Sequence, residues 1–393
     1  MKKTFLKFMY LLNIFIPQPQ WKNLYKKYIN IKGAELFLQE RQKQAPKPVE
    51  ILPDDKIYWS LSVHDRRYIQ YAFPHNQQVK NSRQADVIFK WGMNRTFRCS
   101  ARKKVFIMED SFLRSQTTVA DKKAKPEDKL SISFTLDDLA PHFCGNYVSR
   151  LEQKINSDEK LKKEDIGRAR KCIDKIVGNY LTKYNHQPIF VPEILKTDKH
   201  KVLIIDQSVG DYSIILGGNG KHRDFEKMLQ DAVRENPDSL IFVKVHPDTL
   251  AHKKGNALGY FSPENTGYPN VILFAENVNP VAVLQNVDKV YVWSSGMGFE
   301  ALMCGKEVVT YGTPFYAGWG ITTDRNRIFK TAEMQARRNK KRCLEELFYY
   351  SYIWYSHYVD AVKNCPCEIE TAIDYLLQKR DEYFAVNNIR KDL

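Results

Sequence analysis

None of the 393 residues fall in an apolar run near the roughly 18 residues that a membrane-spanning helix needs, so no spanning segment is expected. Cysteine is sparse and unpatterned: Cys99, Cys144, Cys172, Cys304, Cys343, Cys365 and Cys367 are odd in number and scattered. The tightest pair, Cys365-Pro366-Cys367, is spaced for neither a zinc knuckle nor a redox loop, and reduced thiols in a cytosolic protein are the expectation. No Asp-x-Asp ends an apolar run and no histidines cluster at ligand spacing, so neither a metal nor another cofactor is expected. A cleavable leader is not expected either. Lys7 interrupts the apolar residues Phe5 to Ile16, Pro17-Gln18-Pro19-Gln20 ends them, and no small-x-small site follows.

Acidic residues are the next shortage. The chain carries a formal charge of +15, and residues 1–50 hold ten Lys and Arg against three Glu, nearly half of that excess. A second basic cluster is Arg337-Arg338-Asn339-Lys340-Lys341-Arg342. Neither stretch has a zinc-finger spacing or an RNA-binding signature, so an anionic lipid surface or an acidic glycan is favoured over nucleic acid as the partner. Residues 1–16 suit an amphipathic helix lying on a bilayer, with Lys2, Lys3 and Lys7 near headgroups; a helix packed on the protein itself fits equally well.

The length allows two cores, since one core rarely grows beyond about 250 to 300 residues. Residues 1–50 read as a basic tail, with Gln42 to Pro53 as a linker. Residues 51–195 read as a first α/β domain with strands at Lys56–Ser60, Asp86–Trp91 and Lys103–Met108 and a helical bridge from Leu151 to Tyr184. Residues 196–330 read as a second α/β domain. Its runs Lys201–Ile205, Leu240–Val245, Val271–Phe274, Lys289–Trp293 and Glu307–Tyr311 alternate with helical patterns, which predicts parallel sheets covered on both faces. Residues 331–393 show only helical pattern. The fold class is therefore α/β, with two Rossmann-like domains facing a cleft and a helical C-terminal appendage.

In such folds ligands bind beyond the carboxyl ends of the strands. The second domain places Asp206-Gln207-Ser208-Val209-Gly210-Asp211, His246-Pro247-Asp248 and Ser294-Ser295-Gly296-Met297-Gly298 there. Ser294, Ser295 and Gly296 open a helix, where free amides and the helix dipole favour an anion; a plain helix cap is the competing reading. His246, held at the sheet edge by Pro247, supplies a cation or proton donor for a departing phosphate. In the first domain the strand ends in Glu109-Asp110-Ser111. Asp110, ionised at its ordinary pKa, offers a base or a carboxylate nucleophile, and in an extended segment only one of Glu109 and Asp110 is expected to face the cleft. Arg114 brings a cation close to them.

These residues resemble the Kdo transferases of capsular polysaccharide biosynthesis in Gram-negative bacteria. The likeness is carried by Asp206-Gln207 with Gly210-Asp211, by Lys244-Val245-His246-Pro247-Asp248, by Ser295-Gly296-Met297-Gly298-Phe299-Glu300-Ala301-Leu302, and by Gly312-Thr313-Pro314-Phe315-Tyr316-Ala317-Gly318-Trp319-Gly320. It implies a GT-B fold and transfer of Kdo from CMP-β-Kdo to a glycan or glycolipid acceptor, with retention of configuration and without a metal, at the cytoplasmic side of the inner membrane. By position it implies that His246, Ser294 and Ser295 hold the CMP phosphate, with Gly296 and Lys244 in the same donor site. Asp110 becomes the catalytic carboxylate, His246 assists CMP departure, and Glu109, Gln207, Asp211 and Glu300 orient donor or acceptor. The chain departs from the group at Ser111, where glycine is usual, and in Gln116–Leu130. It holds one catalytic module where many members have two. The alternatives are transfer of another CMP-linked ulosonic acid such as sialic acid, and a non-catalytic capsule-assembly protein that kept the fold.

Overall fold

The computed structural model describes residues 2–12, 16, 18–44, 48–59, 70–96, 99, 103–119, 121, 124–245, 259–263 and 266–392. Two six-stranded sheets organise it. The second in chain order is all parallel. It is built from β5 (Lys201–Ile205), β6 (Leu240–Lys244), β7 (Val271–Phe274), β8 (Lys289–Val292), β9 (Glu307–Thr310) and β10 (Thr323–Asp324), in the spatial order β10-β9-β8-β5-β6-β7. The central strand β5 shows why the pattern works. Val202 and Ile204 enter a core with Phe225, Met228 and Leu229, while Leu203 and Ile205 enter another with Val290, Val292 and Phe299, so both faces are buried and the run is continuously apolar.

The first sheet is mixed, in the order β1-β2-β3-β4-β11-β12. Strands β1 (Ile57–Trp59), β2 (Val87–Trp91) and β3 (Lys104–Asp110) are parallel, and β4 (Ser133–Asp137) turns back antiparallel against β3. Two expectations are corrected here. The first sheet is not wholly parallel, and residues 331–393 are not a purely helical appendage. After the helices Ala332–Arg337 and Leu344–Phe348, the chain forms β11 (Ser356–Asp360) and β12 (Cys365–Cys367), which complete the first sheet by pairing β11 with β4. His357 stacks on Phe134 at 5.2 Å across that pair. Strand β3 also runs two residues further than Met108, so Glu109 and Asp110 are sheet residues opposite Thr135 and Phe134 rather than a solvated turn.

The basic N-terminal region is not a loose tail. Helix α1 (Lys2–Leu12) leads to α2 (Pro19–Gln44), which extends into the segment read as a linker. Ala34, Phe37 and Leu38 of α2 are buried against Ile88, Val105 and Ile107 of the first sheet. In chain order α3 (Arg150–Ile155) and α4 (Lys163–Gly178) follow β4. The chain then crosses through Tyr180 to Tyr184 into the second unit, where α5 (Tyr212–Ile215), α6 (His222–Glu235), α7 (Pro280–Gln285) and α8 (Met297–Met303) follow.

Candidate functional site between the two sheets

A cavity of about 510 Å³ opens where the ends of the two sheets face each other. Its wall takes Glu109, Asp110, Ser111 and Phe112 from the end of β3, and Gln207 with Gly210 to Ser213 from the loop after β5. Ser294, Ser295 and Gly296 come from the end of β8, and Pro314 to Tyr316 from the segment after β9. Polar strand ends from both domains thus meet in one place, as the carboxyl-end rule requires.

On the first-domain wall, Arg114 is buried and its Nε donates to Asp110 Oδ1 at 2.6 Å. The guanidinium is itself fixed, donating from Nη1 to Ser115 Oγ and to the Lys129 carbonyl, both at 2.8 Å. Asp110 is therefore oriented by a cation while its carboxylate stays on the cavity wall. Both residues of the pair line the cavity, and the Glu109 carboxyl also lies beside Gly92. Their environments differ. Burial, reinforced by the negative charge of Asp110, pushes the Glu109 carboxyl up to about 8, so at neutral pH it carries a proton. Ser111, the departure from the related group, is buried and donates to Ser356 Oγ at 2.6 Å, tying β3 to β11, while Ser356 Oγ donates to the Ser351 carbonyl at 2.8 Å.

On the facing wall, Gln207 and Ser294 form a closed pair. Ser294 N donates to Gln207 Oε1 at 2.8 Å, Gln207 Nε2 donates to Ser294 Oγ at 3.3 Å, and Ser294 Oγ donates to the Ser213 carbonyl at 3.1 Å. Ser295 Oγ accepts from Met297 N at 3.3 Å, so that hydroxyl does cap the start of α8. The amides of Ser295 and Gly296 have no partner among the described residues, and space stands open in front of the Gly296 Cα. Asp211 caps α5 by accepting from Ser213 N at 2.7 Å and adds to the same wall.

The aromatic segment Pro314 to Gly320 has a mechanical part. Tyr316 is buried and its hydroxyl donates to the Ser295 carbonyl at 2.6 Å, bracing the loop that presents the two free amides. Gly298 is required by that contact, because a Cβ there would overlap the Tyr316 hydroxyl. The segment is pinned from behind by buried Arg338, whose Nη1 donates to the Pro314 and Ala317 carbonyls at 2.8 and 2.7 Å. Arg338 in turn pairs with buried Glu152, which Arg337 also holds. Gly318 turns the chain with φ +84°, its amide donating to Asp324 Oδ2 at 2.8 Å. Phe315 packs against Phe112 of the first domain at 5.0 Å, so the segment also joins the two walls.

Two predicted residues lie elsewhere, and a third falls outside the described residues. Glu300 does not line the cavity: it is buried on α8, where Thr182 Oγ1 and the Lys183 amide donate to it. Lys244, at the end of β6, lines a neighbouring cavity of about 510 Å³ that shares Gln207 and Ser295 with the first. Burial pushes its ammonium down to about 8. His246 lies outside the described residues.

Two cavity residues had no motif to announce them. The Lys183 side chain reaches the cavity wall, and its ammonium makes no hydrogen bond or ion pair among the described residues. The Glu300 carboxylate fixes its backbone from 118 positions away in sequence, counted from Thr182. His142 is half-buried among Phe112, Phe143, Phe315 and Tyr355, and desolvation pushes its ring down to about 3, so it sits in the wall as a neutral imidazole.

An α/β protein with a polar cleft between two sheets is the class that fold and site define. A profile of capsule polysaccharide biosynthesis proteins matches residues 191–358. The chain is 35% identical over 318 residues to the capsule polysaccharide modification protein LipA of Neisseria meningitidis, covering 79% of this chain and 44% of that protein. It is 30% identical over 290 residues to the lipopolysaccharide-processing protein LpsZ of Rhizobium meliloti, covering 72% and 62%. Among solved structures it resembles a KpsC β-Kdo 2,4 transferase of Thermosulfurimonas dismutans, with TM-score 0.68, 28% identity, and 83% and 99% of the two chains covered. The KpsC β-Kdo 2,7 transferase of that organism shares the fold, with TM-score 0.62 and 24% identity over 83% of this chain and all of that one. The likeness to capsule polysaccharide biosynthesis proteins is thus carried by residues 191–358 of the chain. It spans less than half the length of the LipA relative it matches.

Proposed function

We propose that this protein is a GT-B-type glycosyltransferase that moves Kdo from CMP-β-Kdo to a glycan or glycolipid acceptor in capsule biosynthesis, with retention and without a metal ion. The observation that carries the reading is the single cavity with an Arg-oriented aspartate on one wall and two unpartnered amides in the Ser294-Ser295-Gly296 loop on the other. The likeness to the KpsC 2,4 transferase supports the same sugar.

In this reading the CMP phosphate rests on the Ser295 and Gly296 amides, braced from beneath by Tyr316, and the nucleoside extends into the neighbouring cavity. Gln187 Oε1 and His186 Nδ1 line that cavity, buried and without partners among the described residues. Lys183 pairs with the ulosonate carboxylate. Asp110 attacks the anomeric carbon as the bond to phosphate oxygen breaks, giving a glycosyl ester of Asp110 and free CMP. The protonated Glu109 gives its proton to the departing phosphate. Its carboxylate then takes the proton of the acceptor hydroxyl as that oxygen displaces Asp110, so two inversions give retention and both carboxyls return to their starting states.

The test is to incubate the full chain with CMP-Kdo and follow CMP release together with the intact mass of the protein. Release of CMP and a Kdo adduct that maps to Asp110 support the reading. Undiminished turnover by Asp110→Ala overturns the mechanism, and turnover with CMP-sialic acid but not CMP-Kdo reassigns the sugar.

A further inference from the structure

The first two helices carry a surface that the cavity does not explain. They pack on each other through Tyr10 and Ile29, with Leu6, Met9 and Tyr25 alongside. That seam uses one face of each helix. Away from it, Phe5, Phe8 and Leu11 on α1 and Trp21, Leu24 and Tyr28 on α2 form outward stripes at helical spacing, each 56–60% exposed. Large apolar side chains that point to water from two adjacent helices require an apolar phase to meet them.

The charges around these stripes select the phase. Lys7, Lys22, Lys26, Lys27 and Lys32 lie on these helices, and no Asp or Glu precedes Glu35, with which Lys32 pairs at 2.8 Å. A second copy would bring like charge against like charge, whereas lysines flanking aromatic and aliphatic stripes match an anionic bilayer surface. Position gives the match a purpose. Lys27 Nζ donates to the Val209 carbonyl at 3.3 Å, and its side chain lies against Gly210 of the cavity wall. Next to it, Asn30 Oδ1 accepts from Arg95 N at 3.1 Å, and Tyr212, also of the wall, donates from its hydroxyl to Asn94 Oδ1 at 2.9 Å.

We infer that α1 and α2 form a membrane-docking hairpin that seats the 209–212 rim of the cavity at an anionic bilayer surface. The apolar stripes enter the acyl boundary, the lysines meet headgroup phosphates, and the cavity opens where a lipid-carried acceptor would arrive. Only that last consequence rests on the proposed transferase function; the docking stands without it.

Flotation of the full chain with vesicles tests the inference. The protein is expected to float with phosphatidylcholine vesicles containing phosphatidylglycerol, and less with phosphatidylcholine alone or at about 0.5 M salt. Replacing both apolar anchors of α1 (Phe5→Ser with Phe8→Ser) lowers the partition coefficient at least about tenfold. Lys22→Gln with Lys26→Gln lowers it for anionic vesicles only. Thermal melts of each variant that match wild type show that the fold is kept. Binding that ignores lipid charge, or Phe5→Ser/Phe8→Ser protein that floats like wild type, overturns the inference. So does a wild-type dimer, seen by light scattering, that this double variant abolishes. Turnover of CMP-Kdo on a soluble acceptor is unchanged in these variants, so a failed transferase assay and a failed docking assay are told apart.

Discussion

Glu109 offers a direct physical test, because its titration reports both on the fold and on the chemistry. Its carboxyl rises from an ordinary 4.5 to about 8 in the folded protein, chiefly by burial and then by the charge of Asp110. For an acid whose folded pKa is raised, the unfolded chain gives up its proton first. Below about 4.5 both states are protonated and the group contributes nothing. Between 4.5 and 8 stability falls with rising pH, by about 1.4 kcal/mol per unit, and above 8 the loss is constant. From pH 6 to pH 9 wild type should thus lose roughly 2–3 kcal/mol that Glu109→Gln does not, a difference of a few degrees in Tm. Asp137, raised to about 7, and Lys244, lowered to about 8, titrate in both proteins and drop out of the difference. The assay is a set of thermal melts of the two proteins across that range. In turnover, loss of the Glu109 proton should lower kcat/KM about tenfold per unit above pH 8, an alkaline limb that Glu109→Gln lacks. A Tm difference that does not change with pH refutes the burial argument, and an alkaline limb kept by the variant removes Glu109 from the proton path.

Four other outcomes are expected. Lys183→Met, which removes from the cavity wall an ammonium that lies over the Tyr184 ring and has no ion-pair partner among the described residues, should raise KM for an acidic CMP-sugar at least about tenfold while leaving CMP affinity near wild type; steady-state kinetics and CMP titration separate the two. Gly298→Ala forces Tyr316 off the Ser295 carbonyl and should weaken CMP binding about tenfold by calorimetry, with Tyr316→Phe giving a smaller loss in the same direction. Arg338→Met leaves the Pro314 and Ala317 carbonyls without their donor and Glu152 with Arg337 alone, a destabilisation of roughly 3–5 kcal/mol in urea melts that Arg338→Lys does not fully repair. Turnover of CMP-Kdo should survive exhaustive treatment with EDTA.

How far these features could be read in advance follows from where each one gets its stability. The second sheet was plain in the sequence because its strands are buried on both faces, so each is a short apolar run ended by polar residues; Lys201–Ile205 and Val271–Phe274 coincide with the expected spans. The first sheet was not, since β1 has three residues and β4, Ser-Phe-Thr-Leu-Asp, mixes polar and apolar side chains that are all buried. Strand β11 follows directly on a Tyr-rich helical stretch and finds its partner 220 or so positions earlier, a pairing with no local signal. The site divides along the same line. Asp110 and Ser294 to Gly296 stand at strand ends, and Arg114 four residues past Asp110 is near it in sequence, so position alone exposes them. Lys183 belongs to no motif; its place depends on Glu300, a residue adjacent to the anion seat in sequence but turned away from it in space. The motif of Glu300 suggests a part in orienting donor or acceptor, and what the fold shows is a carboxyl holding the connection between the domains. Tyr316 stands in the run that carries the family likeness and Arg338 in the second basic cluster, yet both build the brace behind the loop, so substitutions there should move donor affinity through loop geometry rather than through a lost contact with the sugar.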